Sequence, residues 1–313
     1  MRSWIGPFLR RTALAASIIM VLVVLFAHPW FAISRPSGGK ALVAEGWMHR
    51  QGLQEAAELF QNGQYDHLYL TGTLRPFAYY LLVGDSVVVE MDAPLIGPVE
   101  IGMGGLPGTT WTLWADDTAV LNNAAPPTAN VFHTTIAAPG VRRFAISVHA
   151  PTSPGTDVPA AIVARLWLNG HNAHGYLPKI TIHHADGSIA PGEPTYAEQA
   201  RAILLMEGVP PERMTVVPTL IVERSRTWSS ARSFVQFAND HGIERFDVAT
   251  LGVHARRTWT MYRKAHGARG GVGVISLHDR WCQRWTWWTN YYGWYQMAKE
   301  LVAWPAPFLI EDP

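Results

Sequence analysis

The sequence predicts an α/β protein with a Rossmann-like, three-layer parallel sheet, an inserted all-β sandwich domain and an N-terminal transmembrane helix. A long apolar run lies near the amino terminus. Strand and helix patterns alternate on both sides of the middle third, as in parallel-sheet proteins. The middle third has only short β-like runs between Gly, Pro, Asn and Asp clusters. The predicted ranges are 1–34 for the anchor, 40–74 and 189–313 for the two parts of the Rossmann-like domain, and 75–188 for the insert.

The composition limits the classes of partner and site. Charged residues make up 16% of the chain, against roughly 25% in an ordinary soluble protein. The 14 tryptophans fit either a protein that works near lipid or sugar, or a Trp-rich core. With 25 basic and 24 acidic residues the net charge is +1, so no nucleic-acid partner is expected. The single cysteine, Cys282, excludes an internal disulfide and multi-cysteine metal sites. We predict no metal site, and the cofactor stays unknown.

Residues 14–27 are almost wholly apolar, and with their flanks they reach the roughly 20 residues that a helix needs to cross a bilayer. Three arginines precede this run: Arg2, Arg10 and Arg11. Because positive charge stays on the cytoplasmic side, the rest of the chain is expected outside. We therefore predict a single-pass anchor in the inner (cytoplasmic) membrane, with the main domains extracytoplasmic or periplasmic. A cleaved signal peptide is the alternative, although no A-x-A cleavage site follows.

The first part of the α/β domain has the pattern of a strand–helix–strand unit. An apolar strand at 41–47 ends in a turn, a helix at 53–60 has apolar residues at helical spacing, and a second strand covers 67–71. After the insert, further helices and strands are predicted at 196–207, 214–218, 227–241, 246–251, 256–266, 272–276 and 291–304. This alternation implies one parallel sheet with helices on both faces.

The insert follows the second strand, at the carboxyl end where parallel sheets bind their ligands, so we expect it to overhang the site. Its predicted strands are 86–91, 111–114, 130–136, 143–149, 162–168 and 179–183. This spacing is typical of a β-sandwich, and the strand pattern resembles that of carbohydrate-binding modules. Trp111, Trp114 and Trp167 are candidate carbohydrate-binding residues, because aromatic faces stack on sugar rings. Filling the sandwich core is their alternative role.

Polar residues directly after the predicted strands define a candidate site, because the carboxyl ends of parallel strands meet at one edge. The candidate catalytic residues, which would transfer protons, are His254, Glu45 and Glu198. The candidate ligand-binding residues are Gly46, Thr71, Gly72, Arg224, Ser225, Thr227, Arg256 and Arg257. Helix amino termini and arginines both favour an anion such as phosphate. Helix capping is the alternative role of Ser225 and Thr227, and a favourable first-turn charge is that of Glu198.

The order of the motifs carries a resemblance to a known family. An apolar strand ending in Glu-Gly-Trp, a strand ending in Thr-Gly, and the segments TYAEQA, RSRTWSSA and LGVHARR follow one another. This order resembles the family of SanA, YdcF and ElyC, the domain of unknown function two-one-eight. Residues matching family positions are Thr71, Gly72, Thr227, His254 and Arg257, with Ala197 and Glu198 loosely so. Departures from the family pattern are Glu45 and Thr73 in place of glycine and Ser230 in place of asparagine.

The resemblance implies an N-terminal membrane segment, a Rossmann-like domain and a role in envelope biogenesis, in steps with lipid-carrier or polysaccharide intermediates. We therefore expect a membrane-anchored protein that acts on or binds an anionic (phosphate-bearing) glycan or lipid-linked polysaccharide precursor. The alternative is a non-catalytic polysaccharide-binding or scaffold protein of the cell envelope. Whether the chain is an enzyme stays open. No G-x-G-x-x-G follows the first strand and no G-x-S-x-G occurs, which argues against ordinary dinucleotide binding and an α/β-hydrolase.

The carboxyl-terminal region is rich in aromatic residues. Those crowded together are Trp281, Trp285, Trp287, Trp288, Tyr291, Tyr292, Trp294 and Tyr295. Such a belt is typical of a membrane interface, and packing of the last helix on the sheet is the alternative. We expect half of these side chains to pack and the rest to lie at the surface.

Overall fold

The computed structural model describes residues 5–124, 132–150, 158–267 and 271–309. The chain has a mixed α/β structure and divides into two compact units. The first unit comprises Met1–Thr73 with Ala197–Pro313 and contains a parallel sheet of five strands. The second unit, Leu74–Tyr196, contains two antiparallel sheets.

The helices, in chain order, are α1 (Ile5–Phe31), α2 (Arg50–Asn62), α3 (Tyr196–Met206), α4 (Arg226–Asp240), α5 (Ala255–His266), α6 (Tyr291–Ala303) and α7 (Ala306–Leu309). The strands are β1 (Ala41–Glu45), β2 (His67–Thr73), β3 (Tyr79–Leu81), β4 (Ser86–Glu90), β5 (Pro98–Gly105), β6 (Thr110–Ala115), β7 (Thr118–Ala124), β8 (Phe132–Ala137), β9 (Arg143–His149), β10 (Ala161–Leu168), β11 (His171–Asn172), β12 (Lys179–His183), β13 (Ile189–Pro191), β14 (Met214–Thr219), β15 (Phe246–Leu251) and β16 (Val272–Leu277). Every helix and strand predicted outside the insert is present, with ends that differ by a few residues.

The strands of the parallel sheet lie in the order β14-β2-β1-β15-β16, and every neighbouring pair is parallel. Apolar runs such as ALVAE form these strands because both faces of the sheet are covered. The strands that follow β1 in the chain lie first on one side of it, as β2 and β14, and then on the other, as β15 and β16. The gap between β1 and β15 is thus a topological switch point, and ligands of such sheets bind there, outside the carboxyl ends of the strands.

Helices cover both faces of the parallel sheet. Leu42 and Ala44 of β1 pack in a core cluster with α2 and α3, whereas Val43 packs in a cluster with α4 and α5. Since side chains alternate along a strand, Glu45 at the end of β1 follows Val43 onto the α4–α5 face. The same alternation brings Thr71 of β2 to this face, so two neighbouring strand ends present polar side chains together.

Helix α1 contains a stretch of 22 residues, Arg10–Phe31, whose most apolar 18-residue window has a mean hydropathy of 2.2, and the stretch is long and apolar enough to cross a membrane. A signal sequence near the amino terminus passes the same test of length and composition. Only 6% of the most apolar window is buried within the protein. The exposed part of the helix therefore has no protein neighbour among the described residues that covers it.

The carboxyl end of α1 packs on the first unit. Phe31 is buried in a cluster with Val253, Cys282, Trp287 and Met297. The Nε2 of His28 donates a hydrogen bond to the carbonyl oxygen of Cys282 (2.8 Å). The chain then continues along β16, where Arg35 pairs with Val274. The end of the apolar helix is thus part of the folded first unit.

The two antiparallel sheets of the second unit share one hydrophobic core. One sheet has the order β11-β10-β5-β8 with β3 also pairing β10, and the other has the order β13-β12-β4-β9-β6-β7. Core residues from both sheets include Val99, Ile101, Leu166, Val87, Phe144 and Ile146. Strand β13 lies beyond the predicted end of the insert at residue 188, and it pairs with β12. The second unit therefore extends to Tyr196.

A buried arginine lies where the two ends of the second unit meet. Leu74 pairs with Thr195 across these ends. The guanidinium of Arg75 donates hydrogen bonds to the carbonyl oxygens of Glu193 and Ala78, and it forms an ion pair with the Glu193 carboxylate (3.4 Å). These bonds tie the first residues of the unit to its last ones.

A buried histidine extends this cluster. His174 Nδ1 donates a hydrogen bond to the carbonyl oxygen of Arg75 (2.8 Å), and its Nε2 accepts one from the hydroxyl of Tyr79 (3.0 Å). Burial is the main cause that lowers the pKa of His174, to about 4; the bond to the Arg75 carbonyl opposes this shift and the Arg75 charge adds to it. His174 is therefore neutral in the folded protein at neutral pH.

Candidate functional site

Glu45, at the carboxyl end of β1, is a buried carboxylate at the switch point, with only 1% of the residue exposed. Its Oε2 accepts hydrogen bonds from the hydroxyl of Thr250 on β15 (2.5 Å) and from the hydroxyl of Thr258 on α5 (3.2 Å). A buried carboxylate is costly without such donors. The two threonines therefore hold Glu45 in place and join β1, β15 and α5 at this point.

Thr71 lies beside Glu45, in register on the neighbouring strand β2. Its hydroxyl is 3.2 Å from the hydroxyl of Tyr262 on α5, and its carbonyl oxygen accepts a hydrogen bond from the backbone N–H of Gly46 (2.7 Å). Burial, followed by the negative charge of Glu45, raises the pKa of Tyr262, so this hydroxyl stays protonated at neutral pH. These side chains form one buried polar group between the strand ends and α5.

His254, Arg257 and Glu300 form the second part of the site. His254 lies in the 3₁₀ turn after β15, Arg257 lies in the first turn of α5, and Glu300 lies in α6. The Nδ1 of His254 donates to Oε1 of Glu300 (2.8 Å). Arg257 donates to both carboxylate oxygens, from Nε (2.8 Å) and from Nη2 (3.1 Å). Paired bonds of this kind are among the strongest that a carboxylate receives.

Glu300 is ionised although it is completely buried. Burial by itself raises the pKa of a carboxyl group, but the hydrogen bonds and charges of His254 and Arg257 outweigh burial and lower the pKa of Glu300 to about 2. The Arg257 guanidinium lies 2.9 Å from Nδ1 and 3.2 Å from Nε2 of His254. Because Nδ1 donates to Glu300, only Nε2 can accept from the guanidinium. With Nδ1 held by the carboxylate, Nε2 is the ring nitrogen left available to take up or release a proton, as in other histidines oriented by a carboxylate.

Helix α5 joins the two parts of the site. It carries Arg257 next to Thr258, and Nη1 of Arg257 reaches the hydroxyl of Thr227, in the first turn of α4, at 3.4 Å. The ring of Trp47, which follows β1, meets the ring of His254 edge to face, with centroids 4.8 Å apart. The chain segments after β1 and β15 thus touch at the switch point.

The turn that presents His254 depends on Gly252. Its φ is +41°, a conformation that residues with a side chain rarely adopt. A Cβ at this position would lie 2.9 Å from the Cβ of Asp279. A cleft of about 470 Å³ opens beside this turn, and its lining includes Gly252, Asp279 and Arg284.

Several predicted site residues come together as expected; they are Glu45, Thr71, Thr227, His254 and Arg257. Gly46 lies in the adjoining turn, and its N–H is already bonded to Thr71. Gly72 does not follow the second strand, contrary to the prediction that this strand covers 67–71. The strand continues to Thr73, and Gly72 is paired with Pro218 inside the sheet.

The structure places three other predicted ligand-binding residues outside this cluster. Ser225 caps α4 and accepts a hydrogen bond from the N–H of Trp228 (3.2 Å). Arg224, which precedes it, is exposed. Arg256 points toward α1, where its guanidinium lies over the ring of Trp30 (4.1 Å to the centroid) and donates to the carbonyl oxygen of Trp30. Burial, with the nearby Arg35 charge, lowers the pKa of Arg256.

Glu198 lies in the first turn of α3 and is half-buried. Helix α3 packs through Ala197 and Ala200 on the α2 side of the sheet. Glu198 is therefore on a helix of the opposite face from α5 and its His254–Glu300 pair.

Sequence reasoning missed Glu300. It also missed three residues that contact Glu45 and Thr71, namely Thr250, Thr258 and Tyr262. Nothing local links Glu300 to His254, because the two residues are 46 positions apart. A signal is nevertheless present, since Glu300 is the sole acidic residue between Arg280 and Leu309, in a mainly aromatic and apolar helix. A carboxylate in such a helix needs a buried partner or a function.

The three candidate carbohydrate-binding tryptophans do not share a surface. Trp111 is 1% exposed and belongs to the core of the second unit, so its ring cannot stack on a sugar. Trp114, on β6, is 37% exposed. Trp167 lies on β10, in the other sheet, and the guanidinium of Arg165 covers its ring at 3.7 Å from the centroid.

Comparisons of the chain with protein-family models, with curated proteins and with solved structures found no significant match. Within the described ranges, no group of three or more His, Cys, Asp or Glu side chains could hold a metal ion.

Proposed function

We propose that this chain is a membrane-anchored envelope-biogenesis protein that acts on or binds an anionic, phosphate-bearing glycan or lipid-linked polysaccharide precursor. The observation that carries the proposal is the buried His254–Glu300–Arg257 cluster at the switch point of the parallel sheet. Rossmann-like folds bind their ligands at this position. The order of the motifs, which resembles that of the SanA, YdcF and ElyC family, supports a role in envelope biogenesis at the membrane.

The cluster suits proton transfer next to an anion. Glu300 orients His254, and Arg257 adds a fixed positive charge beside the imidazole. Helices α4 and α5 both begin at this edge of the sheet, and the free N–H groups at helix amino termini favour phosphate. With a phosphate linkage held there, Nε2 of His254 can give a proton to the leaving oxygen or take one from the attacking group.

The packing of α1 supports an anchor over a cleaved signal peptide. Phe31 completes a buried cluster of the first unit, and Trp30 covers Arg256. Cleavage after the apolar run would remove these contacts and expose their partners to water. We infer a single-pass helix in the inner membrane, with Arg10 and Arg11 on the cytoplasmic side and both units outside.

We interpret the first unit as a Rossmann-like three-layer domain and the second as an inserted β-sandwich that resembles carbohydrate-binding modules. Helices on both faces of the parallel sheet support the first interpretation, and two sheets around one core support the second. The exposed ring of Trp114 favours a second candidate function, that of a non-catalytic polysaccharide-binding or scaffold protein. An exposed indole can stack on a sugar without any chemistry.

A His254→Ala variant tests the proposal. We expect the variant to insert in the membrane and to stay folded at the growth temperature, with a lower melting temperature because Glu300 loses a hydrogen-bond partner, but to fail to restore the envelope barrier in cells that lack the protein. His241→Ala is the matched control, because His241 is an exposed histidine at the end of α4. Full restoration by His254→Ala would count against a role of this cluster.

Assays with purified full-length protein separate the two candidate functions. An enzyme should convert a lipid-linked glycosyl phosphate, and His254→Ala should slow the reaction by about 10²–10⁴-fold, the usual contribution of a general acid or base. A binding protein should show no turnover but should retain polysaccharide, and Trp114→Ala should weaken that retention. Absence of both turnover and binding in the wild type would overturn the proposed function.

A further inference from the structure

Helix α6 has its polar and apolar sides reversed relative to an ordinary surface helix. Its buried side carries the ionised Glu300 together with Gly293 and Met297. Its outward side carries large exposed side chains, those of Tyr291, Tyr292, Trp294, Tyr295, Leu301 and Val302. Surface helices of soluble proteins place polar residues outward. A face of this composition is typical of a surface that contacts another apolar or amphipathic partner.

Exposed aromatic residues continue from α6 into the preceding segment. We define the aromatic collar as the exposed side chains of Trp281, Trp285, Tyr291, Tyr292, Trp294 and Tyr295. Of the eight aromatic residues in this stretch, only Trp287 and Trp288 turn inward, which is fewer than the predicted half. The remaining rings form an outward surface that the core of the first unit does not use.

The aromatic collar lies beside the end of α1. Helices α1 and α6 are in contact, and Val24 and Phe31 share a cluster with Trp287. The apolar stretch Arg10–Phe31 has 22 residues, and at about 1.5 Å per residue it spans about 33 Å, close to the roughly 30 Å hydrocarbon core of a bilayer. About 20 of these residues are enough to cross, so the last turns of α1, up to Phe31, lie at the outer end of the hydrocarbon core and in the headgroup region. Side chains that pack on this part lie at the same depth or just outside it.

The charges around the aromatic collar fit an anionic membrane surface. From Arg280 to Leu309 the sequence has three basic residues, Arg280, Arg284 and Lys299, and one acidic residue, Glu300; the buried Asp279 precedes this stretch, and Glu311 and Asp312 follow it in the sequence. The three basic side chains are exposed, whereas Glu300 is buried and paired. Tryptophan and tyrosine prefer the headgroup region, and arginine and lysine near it are attracted to anionic lipids.

We propose that the aromatic collar is a membrane-docking surface, seated in the headgroup region of the bilayer that α1 crosses, in the leaflet next to the first unit. The inference rests on the proposed anchoring by α1 and adds a second membrane contact, which would fix the orientation of the first unit at the bilayer. Docking of the aromatic collar also determines how far the candidate site lies from the membrane. Val253 packs on Phe31 and directly precedes His254, so the site is held near the membrane surface, where a lipid-linked substrate is presented.

Spin labels on the full-length protein test this docking in vesicles of phosphatidylethanolamine and phosphatidylglycerol. In a Cys282→Ala background, single labels are placed in the aromatic collar through Trp285→Cys and Tyr295→Cys. Val21→Cys, in the exposed apolar part of α1, is the lipid control. Asp240→Cys, at the carboxyl end of α4, is the aqueous control, because α4 begins at the site edge of the sheet and ends at the opposite edge.

The measured quantity is the ratio of a label's collision rate with dissolved oxygen to its collision rate with a water-soluble nickel chelate. We expect this ratio to be several-fold higher for the collar labels than for the label at position 240. Collar labels that the chelate reaches as freely as it reaches position 240 would overturn the inference. Labels shielded from both reagents would reveal a protein partner or a second copy on this surface, and would also overturn it. The label at position 21 reports on α1 separately, and the His254→Ala assays report on the site. Failure of docking is therefore distinguishable from failure of the proposed function.

Discussion

Glu300 determines the state of the site because one carboxylate holds both His254 and Arg257. Because its pKa is lowered to about 2, Glu300 presents a full negative charge to both partners at neutral pH. The histidine is thereby fixed in one tautomer, and the arginine is neutralised where it is buried. Removing one member of such a buried cluster lowers the free energy of unfolding by more than the intact cluster contributes to it, because the remaining charge is left buried without a partner.

The Glu300→Gln variant keeps the size of the side chain and removes its charge. We expect the free energy of unfolding to fall by about 3–5 kcal/mol, since Arg257 is left buried without a counter-charge. Chemical denaturation in detergent measures this change. Glu223→Gln is the control, because Glu223 pairs with Arg232 at the exposed surface, where an ion pair contributes only about 0–1 kcal/mol. Equal small changes in the two variants would show that the buried cluster does not stabilise the fold.

The sequence was enough to predict one side of the site and not the other. His254 and Glu45 follow apolar strands, and parallel topology brings the ends of such strands together whatever the packing details. Glu300 joins the site only through the packing of α6, 43 residues from Arg257 and 46 from His254. The predicted strand ended at Thr71 because glycine often marks the end of a strand, but the pairing of β2 with β14 continues through Gly72 to Thr73.

At the scale of elements, α1 combines two roles along its length. Its middle is exposed and apolar, whereas its last turns are part of the core of the first unit. A purely tethering helix needs only hydropathy, but this helix also needs a specific side chain at its end. The two roles can be separated because the helix has phenylalanines in both environments, with Phe26 63% exposed and Phe31 4% exposed.

Phe31→Ala and Phe26→Ala lower the mean hydropathy of α1 equally, so a difference in stability between them reports on packing. We expect Phe31→Ala to destabilise the first unit by about 3–5 kcal/mol, the usual loss for a buried phenylalanine, and Phe26→Ala to leave it nearly unchanged. Denaturation curves of the two full-length variants in the same detergent measure this difference. Identical curves would mean that the end of α1 is not part of the folded unit, and a cleaved signal peptide would regain support.

The accuracy of the element predictions differs between the two units for a physical reason. Strands of the parallel sheet are buried on both faces and have continuous apolar runs, which are easily recognised. In the second unit, β5 was missed because Pro98 and the pair Gly104–Gly105 indicate turns. Its inward residues Val99 and Ile101 alternate as a strand requires, so alternation was the better signal there.

At the scale of the whole molecule, the two units have separate cores and different buried titratable groups. In the first unit, Glu300 has a folded pKa of about 2 against an ordinary value of 4.5, so its contribution to stability is present above pH 4.5 and is lost as the pH falls toward 2. In the second unit, His174 has a folded pKa of about 4 against an ordinary value of 6.5. Because the unfolded chain binds this proton more tightly, the contribution of His174 is present above pH 6.5 and is lost as the pH falls toward 4.

As the pH falls, protonation of His174 should therefore weaken the second unit at pH values at which Glu300 is still ionised. We expect the second unit to lose about 3 kcal/mol between pH 6.5 and 4 from this group, since each unit of difference in pKa corresponds to about 1.4 kcal/mol. Hydrogen–deuterium exchange, corrected for intrinsic rates and followed on peptides of the second unit, measures the loss. His174→Gln is the comparison, because its amide can still donate to the Arg75 carbonyl and accept from Tyr79, yet it does not titrate. The variant should lose most of this pH dependence; a dependence as steep as that of the wild type would show that His174 is not its source.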